Sequence, residues 1–174
     1  MAEEEPKVEQ AGPEPLAVPT LQEELREQFG EAVLGFSEFR GQPEILTHVG
    51  SLLEVCRYLK AGLGFRYLAD VIGVDYPGRE RRFEVVYVLF CHERAERLRL
   101  KVQVAEGEPV PSVTSVWTGA NWPERECFDL LGISFSGHPD LRRILLPEEA
   151  TGHPLRKDYP LRGRGDLGYR IARD

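Results

Sequence analysis

Apolar positions repeat every second residue in some parts of the chain and every third or fourth in others. The switches between these two periods lay out the elements. Leu98, Leu100, Val102 and Val104 alternate with Arg99, Lys101 and Gln103, which predicts a strand with one wet face. The run FEVVYVLF is almost continuously apolar, so the strand expected over 82–91 belongs at the centre of a sheet. A third strand is expected from Phe65 to Asp75, with Gly73 as a bulge, before a turn at Pro77-Gly78. Two earlier strands, over 32–40 and 44–49, flank a turn at Gly41-Gln42-Pro43.

The helical period appears three times. Leu21, Leu25 and Phe29 follow Thr20 and end at Gly30. Leu52, Val55, Cys56 and Leu59 follow Ser51 and end at Gly62. Trp122, Cys127, Phe128 and Leu131 follow Asn121 and end at Gly132. Each start carries a capping residue with a glutamate three positions on (Glu23, Glu54, Glu124), the pattern of a capping box. Arg125 and Asp129 stand four apart, the spacing of an ion pair along a helix. Shorter helices are expected over 113–117 and from Pro139 to Leu145, the second stopped by Pro147. Ile133 to Phe135 reads as extended. Gly-His-Pro turns fall at 137–139 and 152–154, and Pro154 and Pro160 are expected to hold 155–161 extended.

The order is helix, two strands, helix, three strands, then helices and an arm. Short links between consecutive strands favour antiparallel pairing. The fold class is therefore α+β: a two-layer sandwich of a mainly antiparallel or mixed sheet with helices on one face, plus an extended C-terminal arm. The expected divisions are a disordered acidic tail over 1–19, an α+β domain over 20–135 and a proline-containing arm over 136–174.

Charge refines the division. The whole chain carries −7, yet residues 1–31 hold nine acids and two bases, so the body is neutral. Nothing in it marks a nucleic-acid binder. Cys56, Cys91 and Cys127 are too few and too dispersed for a disulfide framework or for the four thiolates of an iron–sulfur cluster. The longest apolar run falls far below the ~20 residues that span a bilayer, and the acidic start has the wrong sign for a secretory leader, so membrane contact is expected only through partners.

Candidate chemistry is sparse. Gly163, Gly165 and Gly168 form a Gly-x-Gly-x-x-Gly without the strand and helix that a dinucleotide site needs. His138 and His153 lack the short helical spacing of zinc ligands. Glu124, Glu126 and Asp129 resemble paired catalytic carboxylates, but beside Arg125 they read better as ion-paired. No catalytic, cofactor or metal residue is expected. Arg142, Arg143, Arg156, Lys157, Arg162 and Arg164 lend the end of the chain a cationic lean, eight bases against six acids from His138 onward. With Trp117, Trp122, Phe128, Phe135 and Tyr159 as anchors, this reads as an arm that lies across an acidic or carbonyl-rich partner.

The run ERECFDLLGISFSGHPDLRRIL followed by GHPLRKDYPL resembles the C subunit of NADH-quinone oxidoreductase, respiratory complex I. Weaker likeness reaches back to Phe65. One departure is Arg142, where the family pattern often has lysine. The resemblance implies a structural and assembly subunit of the hydrophilic arm, without redox groups of its own. FMN, iron–sulfur clusters and quinone would belong to partner subunits. It implies the D subunit as chief partner, with the B and I subunits nearby, on the cytoplasmic side of the inner membrane. The interface it implies comprises Glu124, Arg125, Glu126, Asp129, His138, Arg142, Arg143, Arg156, Lys157 and Tyr159. On this view Arg125→Ala or Arg143→Ala weakens assembly more than folding. The equivalent subunit of a membrane-bound hydrogenase or of another donor-dependent quinone reductase is the alternative, and a free-standing enzyme using His138 or Glu126 a more distant one.

Overall fold

The computed structural model describes residues 18–160. Residues 1–17 of the expected acidic tail lie outside the described residues, as do the Gly163–Gly168 motif, Arg162 and Arg164. Helix α1 spans Val18–Phe29, two residues earlier than expected, and the chain then forms β1 (Val33–Phe39), β2 (Gln42–Thr47) and α2 (Leu52–Ala61). A meander of β3 (Tyr67–Asp75), β4 (Phe83–Cys91) and β5 (Glu96–Val104) follows. Last come β6 (Val110–Pro111), α3 (Asn121–Leu131) and β7 (Phe135–Ser136).

The fold class is as expected: α+β with a mixed five-stranded sheet, ordered β1-β2-β5-β4-β3. Every neighbouring pair is antiparallel except β2–β5, which closes the two hairpin units side by side in parallel. One face of the sheet is dry. Leu98, Leu100, Val102 and Val104 are at most 1% exposed, as their alternation requires. Opposite them Val85, Tyr87 and Leu89 are fully buried. Leu21 and Leu25 of α1, Leu52, Val55, Cys56 and Leu59 of α2, and Cys127 and Leu131 of α3 join the same core. The other face keeps a row of charge in which Glu44 accepts from Arg99 (3.1 Å) and Lys101 (2.6 Å).

Several local expectations are corrected. Neither Ser51 nor Asn121 caps its helix. Each of these helices is entered through a 3₁₀ turn, Val49–Ser51 or Thr118–Ala120. A cap side chain reaches the free N–H groups only from an extended backbone. Ser51 already sits at φ −98, ψ −2 and Asn121 at φ −50, ψ −56, so neither can serve. Gly73 is no bulge: it pairs regularly with Val85, and the irregularity in β3 falls between Leu68 and Asp70. Its lack of a side chain serves packing instead, because a Cβ there would run into Leu131 Cδ1 of α3. Residues 113–117 form a single turn rather than a helix, Trp117 N–H donating to Val113 O at 2.8 Å.

The helix expected from Pro139 to Leu145 and the extended run after Pro154 are both absent. Residues 137–160 follow turns and irregular backbone packed on the chain's own domain. Arg156 N–H returns to His153 O and Tyr159 N–H to Arg156 O, which closes successive turns. In residues 144–146 the backbone donors that a helix would pair internally are taken by a side chain of α3.

Candidate functional site

The charged residues of the stretch from Asn121 to Pro160 converge on α3. The spacing predicts the period of this helix correctly, but not its faces. Trp122 is 70% exposed, while Glu124 and Asp129 are 0% exposed. The buried stripe runs through Ala120, Glu124, Cys127 and Leu131, and Trp122, two residues from Glu124, points away from it.

Glu124 is held inside because the 112–114 loop needs acceptors. Val113 N–H has no ladder partner after β6 ends and donates to Glu124 Oε1 at 2.8 Å, and Ser112 Oγ bonds Oε2 at 2.6 Å. Burial pushes the Glu124 carboxyl up to about 7, against the lowering effect of these two neutral donors. Tyr87 and Cys56 lie near it in the core, and burial pushes the Tyr87 hydroxyl and the Cys56 thiol well above their usual ranges, which keeps both protonated.

Asp129 sits at the other end of α3 inside a full set of donors. Arg143 Nη1 reaches Oδ1 at 2.6 Å. The N–H groups of Ile144, Leu145 and Leu146 reach Oδ2 at 3.0, 2.8 and 2.9 Å. Burial pushes this carboxyl up as well, but the N–H of Leu146, the Arg143 guanidinium and the N–H groups of Leu145 and Ile144 outweigh it. The net position is below the ordinary aspartate value. The Asp129 carbonyl takes His153 Nδ1 at 2.9 Å, and Arg143 Nη2 continues to Gly152 O at 3.2 Å. Gly132 closes the helix at φ +75, and there a Cβ would meet His153 and Arg156 side-chain atoms at 2.6 and 2.5 Å.

The remaining residues expected at an interface divide sharply. Arg125 does not pair with Asp129; its Nε and Nη2 donate to the carbonyls of Arg142 (3.1 Å) and Arg143 (3.0 Å). His138 accepts Asp140 N–H at Nδ1, so its ring proton lies on Nε2 and is directed at Asn121 O, 3.1 Å away. Arg156 donates from Nε to Leu131 O and from Nη1 to Glu106, each at 2.6 Å. Lys157 enters through its backbone, N–H to Asp75 at 2.7 Å, and Tyr159 packs against Gly152. Arg142 remains at the surface beside Asp140, and Glu126 borders two open grooves described below. Arg125 and Arg143 are therefore braces within the chain. Both arginines hold the chain's own loops in this geometry, so their loss is expected to weaken folding as well as assembly.

Asp75 and Arg82 form a structural pair that no sequence pattern singles out. Arg82 grips the buried Asp75 through two bonds, 2.7 and 3.0 Å, and reaches Asp158 at 3.0 Å. With Arg156 and Glu106 this network ties the arm to the β3–β4 hairpin. Their place at the ends of two strands is visible in the sequence; their pairing across a hairpin and with position 158 is not. Ser112 escapes notice for the same reason.

What α3 leaves open is apolar. A groove of about 610 Å³ runs between Trp122, Pro123, Ile144 and Leu145, and a second of about 320 Å³ lies over Ile72, Gly73, Leu130 and Leu155. Glu126 borders both. Among the described residues no group of three His, Cys, Asp or Glu side chains is arranged to hold a metal ion. Among them, too, no helix is long and apolar enough to cross a membrane.

Comparison with known proteins points one way. The family described as the respiratory-chain NADH dehydrogenase 30 kDa subunit matches residues 45–165. The C subunit of the NADH-quinone oxidoreductase of Geotalea uraniireducens is 47% identical over 140 residues, covering 80% of this chain and 85% of that protein. The C subunit of a Roseiflexus species is 47% identical over 158 residues, 89% of this chain and 90% of that one. Among solved structures, a chain of the membrane-bound sulfane sulfur reductase, an archaeal respiratory membrane complex, shares the fold. Its TM-score is 0.71 at 20% identity, over 90% of this chain and 95% of that one.

Proposed function

From the premise that this chain belongs to the respiratory-chain NADH dehydrogenase 30 kDa subunit family, we propose that it is the C subunit of an NADH-quinone oxidoreductase. Its role is structural: it takes a place in the peripheral arm of a complex that carries electrons from NADH to quinone. Flavin, iron–sulfur clusters and quinone are held by other subunits. Its neighbours are the D subunit above all, then the B and I subunits, on the cytoplasmic side of the inner membrane, which it reaches only through them.

One observation carries this reading: 47% identity to a protein of that name across some nine-tenths of both chains. The geometry of α3 is in keeping with it. Of the signature acids, Glu124 and Asp129 are closed off inside the chain and set to hold loops, while Glu126 lies between two grooves and shares the smaller one with Asp70. An enzyme site needs converging groups around an accessible reacting atom. An assembly subunit needs a rigid frame and an open apolar face, and α3 offers both.

The test is recovery of the tagged chain from its own detergent-solubilised membranes, read by mass spectrometry and NADH–quinone activity. Flavin-, cluster- and quinone-binding subunits with activity are the expected companions. A hydrogenase set, or another donor-binding set, moves the chain to the corresponding quinone-reducing or hydrogen-evolving complex. Recovery of the chain alone overturns the proposal.

A further inference from the structure

We infer that the two grooves beside α3 receive a cationic amphipathic segment of a neighbouring subunit, an arginine or lysine flanked by apolar residues. This rests on the reading of the chain as a subunit of a larger complex and goes further, to the chemistry of what docks there. It concerns a different surface from the basic arm, which the sequence suggests lies across an acidic or carbonyl-rich partner.

Charge accounting at the site decides the sign. Arg125, Arg143 and Arg156 each have guanidinium nitrogens bonded to the chain's own carbonyls or carboxylates. Arg142 pairs with Asp140. None of these cations borders either groove. Among the described residues the charged side chains that do are Glu126, shared by both, and Asp70, which borders the smaller one. Asp70 uses one oxygen to take Val71 N–H at 2.8 Å. The apolar wall is large and exposed: Trp122 at 70%, Leu145 at 60%, Leu155 at 54% and Ile72 at 43%.

A partner that covered this surface with apolar groups alone would bury Glu126 and Asp70 as uncompensated charges, which strongly opposes binding. A partner with its own acids would add like-charge repulsion. A guanidinium or ammonium between two apolar side chains answers both constraints: its head meets Glu126 while its neighbours fill the walls. Trp122 adds a ring face on which a cation is favoured. The frame is preformed, since Asp129 fixes the backbone of residues 144–146 and with it Leu145. Little ordering is then left to oppose docking.

The experiment places a photo-crosslinking phenylalanine analogue at Trp122 or at Leu145 of the full chain, irradiates the assembled complex, and sequences the crosslinked peptide. The expected peptide comes from another subunit and carries an arginine or lysine among apolar residues. Glu126→Lys is expected to lower the fraction of chain found in the complex about tenfold, Glu126→Gln by less, with the melting midpoint of the full chain unchanged by either. An uncharged or acidic peptide overturns the inference. So does full assembly with Glu126→Lys, or a complex that assembles with no crosslink from either position. In those cases the subunit reading still stands. If the chain is recovered without companions, the subunit reading fails and the inference fails with it.

Discussion

Glu124 and Asp129 lie on one helix, five residues apart, each with no exposure to solvent, and they end on opposite sides of ordinary carboxylate behaviour. Near the start of α3, Glu124 has one hydroxyl and one N–H, both neutral, and burial prevails, raising it to about 7. At the far end Asp129 has three N–H groups and a guanidinium, which together overcome burial and leave it below its usual range. Two differences set the charge states: Glu124 lies deeper in the domain, and Asp129 has more donors, one of them charged. Glu124 is an acid that can be neutral at physiological pH inside a tightly packed layer. Asp129 is a fixed anion around which an irregular loop is organised.

The largest effect should come from breaking the Asp129 end. Asp129→Ala leaves the mostly buried Arg143 without its counter-charge and three backbone N–H groups unpaired. A loss of about 3–5 kcal/mol is expected, read as a fall in the urea midpoint at constant slope. Asp129→Asn keeps one acceptor and should fall in between. The pH dependence follows from the sign of the shift. A carboxyl lowered in the folded chain contributes stability above its ordinary value of 3.8 and loses it as pH falls through the lowered value. Asp75, lowered chiefly by Arg82, should add to the same acid-side loss. A drop below about 1 kcal/mol for Asp129→Ala would mean that the loop is held by something other than this carboxylate.

Glu124 should behave in the reverse sense. Its folded form binds the proton more tightly than the unfolded chain, so its contribution is greatest below the ordinary value of 4.5. It declines as pH rises from there to about 7 and is level beyond. Glu124→Gln keeps the shape and an acceptor for Val113 N–H, and its amide can donate to Ser112. The variant is expected to match the parent at about pH 4.5 and to exceed it at about pH 8 by about 1–3 kcal/mol. Equal stability of the two on the alkaline side would show that the pocket carries a charged glutamate without penalty.

This contrast also marks where the sequence is legible. Strand β5 follows from its alternation and β4 from its unbroken apolarity, because both signals are local and the sheet simply obeys them. The helices follow from spacing, and the positive φ of Gly132 from its place at the end of one. The role of Glu124 does not. Three residues after Asn121 it has the form of a capping glutamate, and what decides its fate is an N–H eleven residues back that has no other acceptor. Asp129 likewise suggests a pairing with Arg125, four residues away, when the donors that claim it lie fourteen to seventeen residues on. The parallel β2–β5 pairing and the small β6–β7 ladder share this property, since each joins segments that no local period relates. Local propensity is written in the pattern of residues, whereas the satisfaction of buried polar groups is a tertiary matter and is not.

The smallest effect is expected from Arg142→Ala, and it is the sharpest control for the rest. Arg142 and Arg143 are neighbours of like charge, which in the sequence read as a pair facing outward. Arg143 has a side chain 16% exposed and reaches Asp129; Arg142 has one 64% exposed and reaches Asp140, two residues away. What Arg142 supplies to the fold is its carbonyl, which accepts from Arg125 and which the substitution leaves in place. An exposed ion pair of this kind contributes little, so Arg142→Ala should lie within about 0.5 kcal/mol of the parent while Arg143→Ala loses several. If the two variants proved equally destabilised, donors would not be distinguishing the inner arginine from the outer one, and the account of Asp129 as the organising anion would fall with that distinction.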